Sequence, residues 1–313
     1  MNNKPAKNPF WHVFGPLIIY WIVGLVVSVV AVCVLVIGNV NEFANVLNGL
    51  DANDTEAATA AMQQCALIAM KLEIKYAVEI QSAKAVCSIL VCSIFFFKDR
   101  KLEQEQDKKP DRAPWIKYSF LFVFAIAYNI GVSCLAYMVQ LVAGGDSSYQ
   151  STSAVLYSAP LWLQIVGLCI LVPIMEELLF RGVIYKRLRE KAPFLRAALS
   201  SAILFSLLHS NTTQIISAFA LGLILAYVYD KYGSFKAPAF THMMVNLTAI
   251  LGTYTGILQV VAKSPERLGI TVVVCTFVAA VMFTMIQRME YGSQKDSTDK
   301  TDHSSKPDLD MFR

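Results

Sequence analysis

Six residues set in the apolar half of the chain have types and spacing suited to chemistry: Glu176, Glu177 and Arg181 in PIMEELLFRG, His209 in FSLLHS, and His242 and Asn246 in HMMVN. A charged side chain in a membrane-spanning helix costs about 3 kcal/mol or more unless it is paired or solvated. Glu177 and Arg181 stand at i and i+4, so they share a helix face and can pair. Glu176 is turned about 100° from them, with Phe180 as its own i+4 neighbour. This spacing predicts that Arg181 holds Glu177 while Glu176 faces a cavity, where a carboxylate can act as a general base. His242 and Asn246, again at i and i+4, project an imidazole and a carboxamide from one face and offer N–H donors to an oxyanion. Of the four histidines, only His209 and His242 lie away from the ends. Alone, His209 reads as a satisfied core residue and Arg181 as an ordinary charge at the end of a span. Together the six supply what the addition of water to an amide carbonyl requires. Glu176, His209 and His242 equally have the composition of a hydrolytic zinc set, so a zinc cofactor is a second expectation.

The elements that position these residues follow from composition. The 313 residues are 56% hydrophobic and only 16% charged, and the mean hydropathy is +0.50, which marks an all-α polytopic membrane protein. A span needs about 20 largely apolar residues. Eight segments qualify, at 16–37, 77–97, 116–142, 155–178, 196–210, 213–229, 237–256 and 268–287. The first is too long for a signal-peptide core and lacks a small-residue cleavage site, so it reads as a retained span. Thr55–Lys109 contains neither Gly nor Pro, and Asn53-Asp54-Thr55 offers an N-cap. The second helix is therefore expected to start outside the membrane and run on into it.

Residues 1–114 make an N-terminal unit of two spans closed by a charged connector at 98–114, KDRKLEQEQDKKPDRAP. Residues 115–290 make a six-span bundle, and 291–313 a disordered cytoplasmic tail. Lys and Arg gather in the N-terminal tail, in 98–117, in Arg181–Arg196, at Lys231 and Lys236, and from Arg288 onward. By the positive-inside rule this alternation places both termini in the cytoplasm. Topology accounts for the basic clusters, so no nucleic-acid partner is expected. The seven cysteines fit neither a zinc motif nor a disulfide framework.

Several hydrolase patterns are missing. There is no HExxH and no GxSG. Asp146 follows AGG and not GxG, and Asp230 falls on the opposite side of the inferred topology, so neither reads as an aspartyl catalyst.

EExxxR (Glu176, Glu177, Arg181), FxxxH (Phe205, His209) and HxxxN (His242, Asn246) occur in that order within 155–255. This set resembles the CPBP group, which comprises CAAX-processing endopeptidases and bacteriocin-processing or self-immunity proteins and is often called the Abi family. The resemblance implies an eight-span intramembrane endopeptidase with a cavity open to the cytoplasm. It also implies roles: Glu176 and His209 activate water, His242 and Asn246 form the oxyanion site, and Glu177 with Arg181 shapes it. The expected partners are the lipid bilayer and a membrane-anchored protein or hydrophobic peptide as substrate, and the expected location is a bacterial plasma membrane. Two other readings stand beside it: a non-catalytic membrane scaffold or regulator, and a proton-coupled transporter, which inverted repeats would favour but which shows none here.

One expectation strains the geometry. A fifth span starting near Arg196 puts His209 roughly 20 Å from the cytoplasmic edge, whereas His242 lies about 8 Å in if its span starts near Ala237. Bringing the two together requires a tilt, a kink or a thinned bilayer.

Overall fold

The structure is a computed structural model that describes residues 9–48, 54–105 and 112–289. Lys4, Lys7, part of the charged connector and the expected disordered tail lie outside the described residues. The described chain is helical throughout, and among those residues there is no strand. In chain order the helices are α1 (Pro9–Gly38), α2 (Val40–Leu47), α3 (Thr55–Lys75), α4 (Ala77–Glu105), α5 (Tyr118–Ala143), α6 (Ser147–Tyr157), α7 (Leu161–Arg189), α8 (Phe194–Ser206), α9 (Thr212–Tyr232), α10 (Lys236–Tyr254), α11 (Ile257–Ala262) and α12 (Pro265–Gln287).

A helix lies at each of the eight expected segments. Six are long and apolar enough to cross a membrane: α1, α4, α5 with its leading turn, α7, α9 and α12. The other two are α8 and α10. With 13 residues, α8 reaches only about 20 Å, short of a hydrocarbon core of about 30 Å. It ends at Ser206, earlier than the apolar pattern suggests, because Asn211 caps the next helix by accepting from the Gln214 amide. His209 therefore sits in the α8–α9 turn, not on a helix. The fourth span starts at Leu161 and not at 155, since the Ser158–Pro160 break separates it from α6. The helix expected to run through 55–109 divides at Tyr76 into α3 and α4. Asp54 caps α3 as expected, accepting from the amides of Glu56 and Ala57.

Large apolar side chains on α1 such as Trp21, Leu25 and Val30 point outward, as lipid-facing residues do. Packing inside the bundle relies on small residues, as in membrane helices generally. A Cβ on Gly167 would run into the Ser82 hydroxyl and crowd the Val78 side chain, so α7 and α4 approach closely there. At Gly222 a Cβ would lie 3.0 Å from the Ala202 Cβ, which brings α9 against α8. An aromatic core under α5, α7, α9 and α12 gathers Phe124, Tyr185, Tyr227 and Tyr232.

α7 is wound unevenly. Gln164–Leu171 and Phe180–Tyr185 are π-helical and the turn between them, Val172–Leu179, is α-helical. Such wide turns recur at functional sites because they re-aim side chains and loosen carbonyls. The acidic motif falls between the two.

Ion pairs tie the far end of α7 to its neighbours. Arg187 makes a forked pair with Asp99 of α4 (2.6 and 3.2 Å) and donates to the His12 carbonyl. Arg189 pairs with Asp230 at 3.2 Å; Asp230 lies in α9 and is buried, where the sequence reads as loop. Because Arg187 and Asp99 are both buried, Arg187→Ala strands a carboxylate and is expected to cost about 3–5 kcal/mol. Thermal unfolding in detergent checks this.

At the opposite end Asp146 caps α6 through the Tyr149 amide and accepts from the amide and hydroxyl of Thr213, joining the α5–α6 connection to α9. These donors hold its carboxyl below the usual aspartate range, the Tyr149 amide foremost. A depressed folded-state value means that the contribution is complete above the unfolded aspartate value and disappears as pH falls through the folded one. The expected result is that the wild type loses its stability margin over Asp146→Ala only on acidification below pH about 4, read from melting midpoints of the two proteins across an acid series.

Candidate active site

Glu177 is fully buried and its Oε1 receives two donors: Arg181 Nη1 at 2.9 Å and His242 Nδ1 at 3.0 Å. Arg181, also fully buried, donates from Nη2 to the Gly222 carbonyl at 2.9 Å and lies over the Phe205 ring at 4.7 Å. The approach of α9 at Gly222 makes that carbonyl reachable. The expected i, i+4 clamp is present, and it reaches a third helix as well as α7.

Glu176 points the other way, as its 100° offset implies, and lines the blind end of a cavity of about 620 Å³. Its Oε2 is 3.7 Å from His242 Nε2, beyond a direct hydrogen bond. With Nδ1–H directed to the Glu177 carboxylate, Nε2 is the ring atom that faces Glu176 and the cavity.

His209 enters from the α8–α9 turn. Its ring packs edge-on against Phe205 at 5.5 Å, and Phe205 also meets His242 edge-on at 5.8 Å. The buried Nδ1 of His209 has no hydrogen-bond partner, and His209 also lines the cavity. Asn246 lines it one turn beyond His242 on α10 and donates from Nδ2 to the Leu168 carbonyl at 2.9 Å, within the first π-helical stretch. One of its two amide N–H groups is thereby committed and the other remains.

The meeting of Glu176 with His242 fixes the relative level of α7 and α10. Glu176 lies 13 residues before the end of α7, about 20 Å, while His242 is six residues into α10, about 9 Å. Since the two side chains meet, α10 must begin roughly 10 Å inside the level where α7 ends. Phe235, at the start of α10, accordingly packs on Phe96 inside the bundle.

Of the six, Glu176, His209, His242 and Asn246 line the cavity, with Glu176 and His242 at its blind end and His209 and Asn246 towards the mouth; Glu177 and Arg181 lie behind His242, outside the lining. Among the described residues no three His, Cys, Asp or Glu converge as metal ligands. His242 Nε2, backed by Glu177 at Nδ1, nonetheless faces the cavity, the orientation a metal-bound imidazole takes. Sequence reasoning missed the Glu177–His242 contact, for which a separation of 65 residues leaves no local signal. It also missed Tyr128 and Asn129 of α5, which line the cavity with an unpartnered hydroxyl and amide nitrogen. A polar pair inside the apolar run AIAYNIGVSC was the available signal.

Residues 158–248 match the family described as type II CAAX prenyl endopeptidase Rce1-like, a stretch that contains all six residues. YdiL of Bacillus subtilis (strain 168), whose name marks it as a candidate membrane peptidase, is 24% identical over 206 residues, 61% of this chain and 84% of that protein. The UPF0177 protein YxdF of Lactococcus lactis subsp. lactis (strain IL1403) is 33% identical over 125 residues, 40% of this chain and 68% of that one. The membrane-embedded CAAX protease MroQ of Staphylococcus aureus (strain USA300) is 27% identical over 171 residues, covering 52% and 67% respectively. No solved structure matches the chain significantly.

Proposed function

Given that the chain belongs to the CPBP family of intramembrane proteases, we propose that it hydrolyses a peptide bond of a membrane-associated protein or hydrophobic peptide by direct attack of water activated at Glu176. The observation that carries this reading is the meeting of Glu176 and His242 at the blind end of the cavity, with Glu177 behind the imidazole.

In this mechanism Glu176 takes a proton from water as the oxygen attacks the scissile carbonyl carbon. The resulting oxyanion is met by the protonated Nε2 of His242 and the remaining amide N–H of Asn246. Glu176 then passes its proton to the departing nitrogen as the C–N bond breaks, releasing an amine and a carboxylic acid. His209 stands beside the water with its free Nδ1. Glu177, held by Arg181, is a positioning residue that fixes the orientation of the His242 ring and balances its charge. No step passes through a metal, and the bacterial relatives favour the plasma membrane as the working location.

The test uses the protein reconstituted in liposomes and incubated with hydrophobic peptides extracted from bacterial membranes. Mass spectrometry is expected to find new peptide termini with the wild type, with and without a strong chelator, and none with Glu176→Ala. Activity that a chelator abolishes and zinc restores would replace the metal-free step. Cleavage by Glu176→Ala would remove the assignment altogether.

A further inference from the structure

The cavity runs in one direction only. Its wall on α7 extends from Leu168 to Glu176, and no residue from Glu177 to Arg189 borders it. On α9 it covers Thr213 to Leu221, towards the N-terminus, and on α10 His242 to Ile250, towards the C-terminus. On α4 it covers Ala77 to Lys84, at the start of that helix. All four helices place the mouth at the same end, where the α3–α4 junction, α6 and the α8–α9 turn meet. The blind end faces the α4–α5, α7–α8 and α9–α10 connections.

These two ends differ sharply in charge. The connections behind the blind end carry Lys98, Lys101, Arg112, Lys186, Lys191 and Lys236 among others. The described connections around the mouth carry fewer: α6 and the α8–α9 turn have none, Lys71 and Lys75 lie near the end of α3, and Lys263 and Arg267 flank the start of α12. The positive-inside rule assigns the Lys/Arg-rich connections to the cytoplasm. A cytoplasmic mouth, which the family resemblance implies, and that charge distribution cannot both hold in this fold.

We infer that the cavity opens to the extracytoplasmic side, and that the substrate is a peptide bond presented there by a segment that has crossed the membrane. The substrate clause rests on the hydrolytic reading; the direction of the mouth does not. From Leu168 to Glu176 the cavity is about 12 Å deep, the reach of three to four extended residues at roughly 3.3 Å each. Its walls are polar well inside the bundle, with Lys84 and Gln81 on α4 and Asn129 on α5. An ionisable residue facing a cavity at such a position belongs to a substrate path more than to a lipid surface. The chain entering is therefore a polar or mixed stretch next to a hydrophobic anchor, not a buried apolar helix.

Single cysteines at Ser210 and Thr152, which line the mouth, and at Lys191 behind the blind end test the direction, in a background with the seven native cysteines replaced. In intact cells a membrane-impermeant maleimide is expected to label S210C and T152C to completion, and K191C only after permeabilisation. The reverse pattern, or equal labelling of both ends, overturns the inference. If that background does not accumulate, a protease site inserted after Gly144 or after Glu190 gives the same reading in spheroplasts. Cutting only at the first supports the inference; cutting only at the second, or at both, overturns it. Neither readout needs activity, so failure here is separable from failure of the hydrolytic mechanism.

Discussion

Glu176→Gln is expected to reduce peptide hydrolysis by about 10²- to 10⁴-fold, the range attributed to a general acid–base group, while the protein stays folded in the membrane. The substitution keeps size and shape and removes only the ability to accept and return a proton. Stability is expected to change little because Glu176 makes no direct hydrogen bond in the structure; its nearest charged neighbour is His242 Nε2 at 3.7 Å. Turnover of a reconstituted preparation, set against its melting curve in detergent, separates the two effects. His209→Ala is expected to lose activity with a similarly unchanged melt, since the turn that holds it depends on the Asn211 cap and not on the imidazole. Full complementation of a deletion strain by both variants would argue for a scaffold and against an enzyme.

Glu177→Gln is expected to behave differently, losing stability and activity together. Glu177 Oε1 serves Arg181 and His242 at once, inside a region without solvent contact. A carboxamide can still accept one hydrogen bond but leaves Arg181 as an uncompensated buried charge, which costs about 3–5 kcal/mol. It also loosens the His242 ring from its orientation, so the surviving folded fraction should turn over slowly. Arg181→Lys makes a useful companion. An ammonium cannot reproduce the planar contact with Phe205 or reach both the Gly222 carbonyl and Glu177. Melting midpoints in detergent for both variants test this; midpoints equal to the wild type would rule out the clamp.

Much of this architecture was legible in the residues. Uncharged length located a helix at each expected span, and i, i+4 spacing gave the Glu177–Arg181 pair and the opposite orientation of Glu176. The departures arise where tertiary packing or capping overrides local pattern. Apolar continuity carried the fifth segment to residue 210, but Asn211 caps α9 and converts the last residues into a turn. Sequence spacing also assumed that helices begin at a common level, whereas α10 starts inside the bundle, which is how His242 meets Glu176. The widened turns of α7 leave no periodic signature, yet one of them supplies the Leu168 carbonyl that fixes Asn246. The direction of the cavity required the assembled helices, because only their combined lining shows which end is closed.

The most direct measurement of the central claim is a comparison of membrane-associated peptides from cells producing the wild type and cells producing Glu176→Gln at equal level. The mechanism predicts a discrete set of peptide termini present with the wild type and replaced by uncut precursors with the variant. Identical peptide profiles from the two strains, in membranes containing equal amounts of folded protein, would contradict it.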